Sequence, residues 1–151
     1  DHSGTPMVIY YEPENRVFAG FIGAPKMNFI EARVIGSDAR SVAIELGDTA
    51  LTLGANGWQG ALTFGVRPEH LRVNADHGTP LGEMVVTHVE HLGGQTIVHG
   101  HLAGGQPIIA TLEGQQSIAA GEELRLSADL TKCHIFDAEG RRYAAAPAQH
   151  H

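Results

Sequence analysis

NFIEARVI, residues 28–35, places Ile30, Ala32 and Val34 at every second position with Glu31 and Arg33 between them. A repeat of two is that of a half-buried strand, because successive side chains of an extended chain point to opposite faces. The same alternation returns with Val42, Ile44 and Leu46 in SVAIELG, with Leu51 and Leu53 in ALTLG, and with Leu62, Phe64 and Val66 in ALTFGVR. Further strands are expected at 83–91, 96–102, 107–112 and 123–128, with short ones near 134–137 and 142–143. Glycine-containing turns separate them at short intervals, and the 19 glycines of the 151-residue chain fit such turns. The pattern predicts a mainly β protein of small OB-like barrels rather than a parallel sheet with crossover helices.

N-terminal to residue 28 the pattern changes. Thr5 before Pro6 reads as a helix cap followed by proline at the first helical position, with apolar residues running to Tyr10. Asn15 caps a second candidate helix, in which Val17, Phe18, Phe21 and Ile22 fall at helical spacing. Two short helices are therefore expected ahead of the barrel. The segment GFIGAPKMNF, residues 20–29, sets glycines before Lys26 and invites comparison with a phosphate-binding loop. That loop requires G-x-x-x-x-G-K-[ST], whose backbone N–H groups wrap the phosphates while the hydroxyl holds Mg²⁺. Here Pro25 removes an N–H and Met27 stands where the hydroxyl belongs. No phosphate site is expected.

Composition narrows the function classes. Ten Lys and Arg against 17 Asp and Glu give a net charge of −7, which opposes binding to nucleic acid or to an anionic membrane surface. Aromatic residues make up only 6%, too few for the stacking platforms of a single-strand binder. No apolar run reaches the roughly 20 residues of a membrane span, and no signal peptide is expected. Cys133 is the only cysteine, so no internal disulfide forms; a buried, inert thiol is expected. His150 and His151 read as the start of a purification tag, and residues 144–151 as a tail.

One internal echo pairs LTFGVRPEHL with LSADLTKCHI, where Leu62 and Leu126 each precede a histidine, His70 and His134, by eight residues. It suits two related halves meeting near residues 74–80, in the polar stretch NADHGTP.

YYEPENRVFAGFIGAPKMNF at 10–29, FGVRPEHL at 64–71, VEHLGGQT at 89–96 and KCHIFDAEGRR at 132–142 occur in an order that resembles one family. They look like the C-terminal portion of the ATP-binding subunit of maltose-type ABC sugar importers, a group that includes glycerol-3-phosphate and polyol importers. The resemblance covers roughly residues 4–143. It implies an OB-like regulatory domain over residues 29–143, with 1–28 as a helical linker from an ATPase domain that would itself hold ATP and Mg²⁺. It also implies a homodimer, contact with membrane permease subunits through that ATPase, a regulatory protein partner, and a cytoplasmic place on the inner face of the membrane. Walker A, Walker B and the LSGGQ signature are not found in this chain. LGGQ at 92–95 lies between alternating strand residues and reads as a hairpin turn.

Candidate sites follow from the polar clusters. Arg67, Glu69 and His70 flank Pro68 at a strand end; an Arg67–carboxylate bond would fasten this turn, or its charges would meet a partner. Together with Asp137 they make the expected partner and dimer surface, in loops near 65–72 and 130–140. If residues 83–91 and 96–102 pair across Leu92–Gln95, then His88, Glu90, His99 and His101 share one face and Val85, Val89, Val98 and Leu102 the other. Imidazole and carboxylate are competent metal ligands. The apolar opposite face already explains the pattern as a solvent-facing side, so no metal is assigned. Cys133, His134 and Asp137 in CHIFD are adjacent in sequence, which does not build a catalytic triad, and no catalytic residue or cofactor site is assigned to this chain. A small-ligand sensor for a sugar or oxyanion is the alternative. Related oxyanion-binding domains commonly carry S-x-R-N where this chain has APKMN, retaining Asn28 but not the serine or arginine.

Overall fold

The computed structural model describes residues 6–13 and 27–148. Among the described residues twelve strands run in chain order: β1 Met7–Tyr11, β2 Asn28–Ser37, β3 Ser41–Leu46, β4 Thr49–Gly54, β5 Leu62–Val66, β6 Arg72–Val73, β7 Thr79–Leu92, β8 Gln95–Leu102, β9 Pro107–Glu113, β10 Glu123–Ala128, β11 His134–Phe136 and β12 Arg142–Pro147. Short 3₁₀ turns at Pro68–His70 and Leu130–Lys132 join β5 to β6 and β10 to β11.

The strands form a closed barrel, β1-β12-β11-β5-β2-β3-β4, and a five-stranded sheet, β6-β10-β7-β8-β9. The two share one design. Barrel strands β11-β5-β2-β3-β4 have the same order as β6-β10-β7-β8-β9, each half lending its last short strand to the other. The pairings Gly65–His134 and Phe64–Ile135 match Ser127–Arg72 and Leu126–Val73, with equivalent residues 62 apart. The echo seen in the sequence is therefore real as architecture but displaced by two residues: Phe64, not Leu62, corresponds to Leu126. The chain leaves the barrel through residues 67–71 and returns through 129–133, so the halves interlock at both crossings rather than meeting once near 74–80.

Alternation does what the sequence requires of it. Ile30 and Ala32 of β2, Val42, Ile44 and Leu46 of β3, and Leu62, Phe64 and Val66 of β5 are all buried. One continuous core takes these side chains together with Leu81, Met84, Leu124 and Leu126 from the second sheet. Each fully buried Leu, Ile or Phe contributes roughly 1.5–3 kcal/mol.

Two expectations fail together at the chain ends. Residues 7–11 form strand β1, not a helix, and residues 142–147 form strand β12, so residues 144–147 belong to the sheet and not to a tail. The physical reason is mutual: β1 and β12 pair antiparallel from Met7–Pro147 to Tyr11–Tyr143. Val8, Ile9, Tyr10 and Tyr11 are strand formers that tertiary pairing holds extended against the cap signal at Thr5-Pro6. The pair then closes the barrel, since Val8 meets Gly54 of β4 in parallel and Ile9 and Ala145 enter the core. Trp58, in the loop after β4, packs on Tyr143 with ring centroids 4.4 Å apart. The second expected helix, at 15–22, and the segment 20–26 lie outside the described residues.

Candidate functional site

Pro68 shapes the first crossing. It is buried at the start of the 3₁₀ turn, where its fixed φ and missing N–H cost nothing. The turn is held by backbone bonds, His70 N–H to Arg67 O at 2.9 Å and Leu71 N–H to Pro68 O at 3.3 Å. The expected Arg67–carboxylate fastener is not formed: among the described residues no ion pair joins Arg67 to Glu69, and both side chains are exposed. His70 is half-buried, its Nδ1 enclosed without a hydrogen-bond partner.

The second crossing uses its charge differently. Asp129 caps its 3₁₀ turn, accepting from Thr131 N–H at 3.0 Å and Thr131 Oγ1–H at 2.7 Å. The Thr131 hydroxyl holds the Asp129 carboxyl below its usual range. Cys133 is buried, and burial pushes its thiol up to about 12, so almost no thiolate is present at neutral pH. Its Sγ donates to Asp129 O at 3.6 Å.

Asp137 does not belong to the exposed surface. One carboxylate oxygen accepts from the Glu139 and Arg141 N–H groups, both at 2.9 Å, and the other from Arg141 Nε at 2.9 Å and the Tyr143 hydroxyl at 2.8 Å. Its side chain is 6% exposed. Burial alone would raise its pKa, but these donors outweigh burial and lower it. Asp137 is thus the fastener of the β11–β12 turn, while Arg67, Glu69 and His70 remain on an accessible loop.

The β7–β8 hairpin has the register the sequence predicts, with His91 opposite Thr96, Glu90 opposite Ile97 and His88 opposite His99. Gly93 supplies the left-handed turn residue, at φ 61°. Beyond the histidine pair the register shifts at Thr87, so that Val86 faces Gly100 and Val85 faces His101. This bulge corrects one assignment: Val85 lies on the histidine side, half-buried, and Met84 and Val86 take the core positions. His88 and His99 stack with ring centroids 4.1 Å apart and planes 8° from parallel. Glu90 Oε1 lies 2.7 Å from His99 Nε2. Donor atoms of His88, Glu90 and His99 all fall within 4.8 Å of one another, and His101 stays outside that group.

Asn28, the residue shared with the oxyanion pattern, has another use. Its Nδ2 donates to Ile109 O and its Oδ1 accepts from Ile109 N–H, both at 2.9 Å. The buried amide thus clips the start of β2 to β9, tying the barrel to the second sheet. The period-two pattern could not reveal this link, because the partner is 81 residues away and a main-chain group carries no side-chain signature.

Among the described residues no helix is long and apolar enough to cross a membrane. Two family models match: the MalK OB-fold domain over residues 23–71 and the TOBE domain over residues 64–136. Their overlap, 64–71, is the first crossing. Among curated relatives, the chain is 34% identical to the maltose/maltodextrin import ATP-binding protein MalK of Vibrio cholerae, over 91% of this chain and 38% of the relative. It is 39% identical to the sn-glycerol-3-phosphate import ATP-binding protein UgpC of Ruegeria, over 93% of this chain and 38% of the relative. It is likewise 39% identical to the lactose transport ATP-binding protein LacK of Rhizobium radiobacter, over 92% of this chain and 40% of the relative. The chain therefore spans about two-fifths of the length of these relatives. A solved structure of the cytoplasmic molybdate-binding protein ModG superposes with a TM-score of 0.53 at 15% identity, covering 76% of this chain and 96% of that one, a likeness of fold. With the interlocked halves and both domain models in place, the chain belongs to the TOBE and MalK-type OB-fold domain families.

Proposed function

We propose that this chain serves as the regulatory and dimerisation domain of the ATP-binding subunit of an ABC importer for sugars or related solutes. The observation that carries the reading is the alignment of more than nine-tenths of the chain with the C-terminal part of import ATP-binding proteins. In this reading ATP and Mg²⁺ are held by a preceding ATPase domain, the permease is reached through that domain, and the subunit works on the cytoplasmic face of the membrane. The chain itself offers dimer or regulatory contacts, with Arg67 and Glu69 as accessible charges that no ion pair among the described residues neutralises. A sensor role has less support, since the Asn28 amide is occupied by Ile109.

The test is to sequence the coding DNA upstream of Asp1 and to titrate the chain calorimetrically with ATP-Mg, maltose and molybdate. An in-frame ATPase domain upstream and no heat from any of the three is the expected result. The absence of such a domain, or saturable binding of the sugar or oxyanion, would overturn the proposal.

A further inference from the structure

We propose that the outer face of the β7–β8 hairpin binds a divalent transition cation of the zinc type, with His88, His99 and Glu90 as its three protein ligands. The sequence places these residues on the solvent side. The structure adds that their donor atoms converge.

Three features favour a metal over three unrelated surface side chains. The first is donor chemistry: two imidazole nitrogens and one carboxylate oxygen are a ligand set that zinc accepts, with a fourth position left to water. The second is distance. Ligands about 2.0–2.1 Å from a tetrahedral zinc stand about 3.3 Å apart. The donors here lie within 4.8 Å of one another, so rotation of exposed side chains is enough to close on an ion. The Glu90–His99 contact of 2.7 Å shows that this pair already converges, a proton standing where the metal would stand.

The third feature is a backbone that holds the histidines in place. His88 and His99 are directly opposite each other, and the bulge immediately beyond them is tied down by Thr87 Oγ1, which donates to His99 O at 3.0 Å. Bulges re-aim side chains and fix register. Gly100 is part of this device: a Cβ there would run into the Val85 carbonyl. The two imidazoles are thus held within reach of a shared ion; because their planes are 8° from parallel, the rings must turn before both in-plane lone pairs point at it.

A bound ion would clip β7 to β8, and its open position would face solvent. Magnesium and calcium, which prefer six or more oxygen ligands, do not suit this set.

The experiment uses the full chain carrying His150→Ala and His151→Ala, so that the terminal histidines do not contribute. It is titrated with Zn²⁺ at pH 7.5 by calorimetry and followed by histidine ring NMR, with Mg²⁺ and Ca²⁺ as controls. One Zn²⁺ per chain is expected, with shifts at His88 and His99 and slower amide exchange across β7 and β8. His88→Ala and His99→Ala should each weaken binding at least tenfold, Glu90→Gln severalfold, and His101→Ala not at all. Circular dichroism and melting without zinc check that each variant keeps the fold. Absence of binding at millimolar zinc, or binding that survives both His88→Ala and His99→Ala in folded protein, would overturn the assignment.

Discussion

The carboxylate of Asp137 joins β11 to β12 by collecting two backbone N–H groups, a guanidinium and a phenol. Tyr143 feels the same environment from the other side: burial, with the bond to Asp137 adding to it, pushes its hydroxyl up to about 12. Because the folded-state pKa of Asp137 is lowered, its contribution to stability is present above the unfolded value of about 4 and is lost as pH falls through the folded value. Asp137→Ala should therefore cost about 1.5–3 kcal/mol at pH 7, the range for hydrogen bonds to a charged group. The gap from wild type should narrow below about pH 4. Urea midpoints of both proteins across pH 2–7 check this; a gap independent of pH would remove the charge from the account. The sequence located Asp137 in a polar loop but gave no sign of which way it faces, because inward and outward carboxylates look the same until the turn around them is built.

At the scale of elements, strands with a clean period of two were legible wherever one face meets the core and the other meets solvent. The hairpin β7–β8 shows both the reach and the limit of that reading. Its pairing from Leu92–Gln95 to His88–His99 follows from the glycine turn and the alternating valines. The bulge at Thr87 was hidden, since an added residue leaves no mark in composition, and it moved Val85 to the outer face. Strand β1 was misread as a helix, and β12 was cut short at 143, for a related reason. Each is the other's partner across the length of the chain, and local spacing cannot supply a partner. The two-residue strand β6 was too short to carry any period. The face assignment has a direct consequence: Val98 is fully buried opposite Val89, whereas His99 is on the outside. Val98→Asp should cost several kcal/mol, as an unpaired charge in the core does, and His99→Ala well under 1 kcal/mol in metal-free buffer. Denaturation midpoints decide between them, and a reversed order would mean that the hairpin pairs one residue out of register.

For the whole molecule, the exchange of β6 and β11 between halves makes the barrel and the second sheet one mechanical unit, reinforced by the Asn28 clip. The barrel has no free edge, because β1 and β12 close it. The second sheet ends instead at β6 and β9, with the Pro68–His70 turn packed beside β9. Arg67 and Glu69 are exposed on that turn with no ion pair among the described residues, so the loop next to the open sheet is where self-association is expected. Asp137, used inside the β11–β12 turn, leaves this surface. Without an ATPase domain the pairing should be weak, since tethered contacts raise effective concentration and separated ones do not. Sedimentation over a hundredfold concentration range should show a monomer–dimer equilibrium for the wild-type chain. Arg67→Glu and Glu69→Arg each put the wrong sign on the loop and should shift that equilibrium toward monomer by tenfold or more. The double exchange, Arg67→Glu with Glu69→Arg, should recover part of the loss if the two charges meet each other across a twofold axis, as an isologous contact requires. A wild-type chain that stays monomeric at the highest concentration, or single variants that pair as well as wild type, would move the contact away from this loop and onto another face of the molecule.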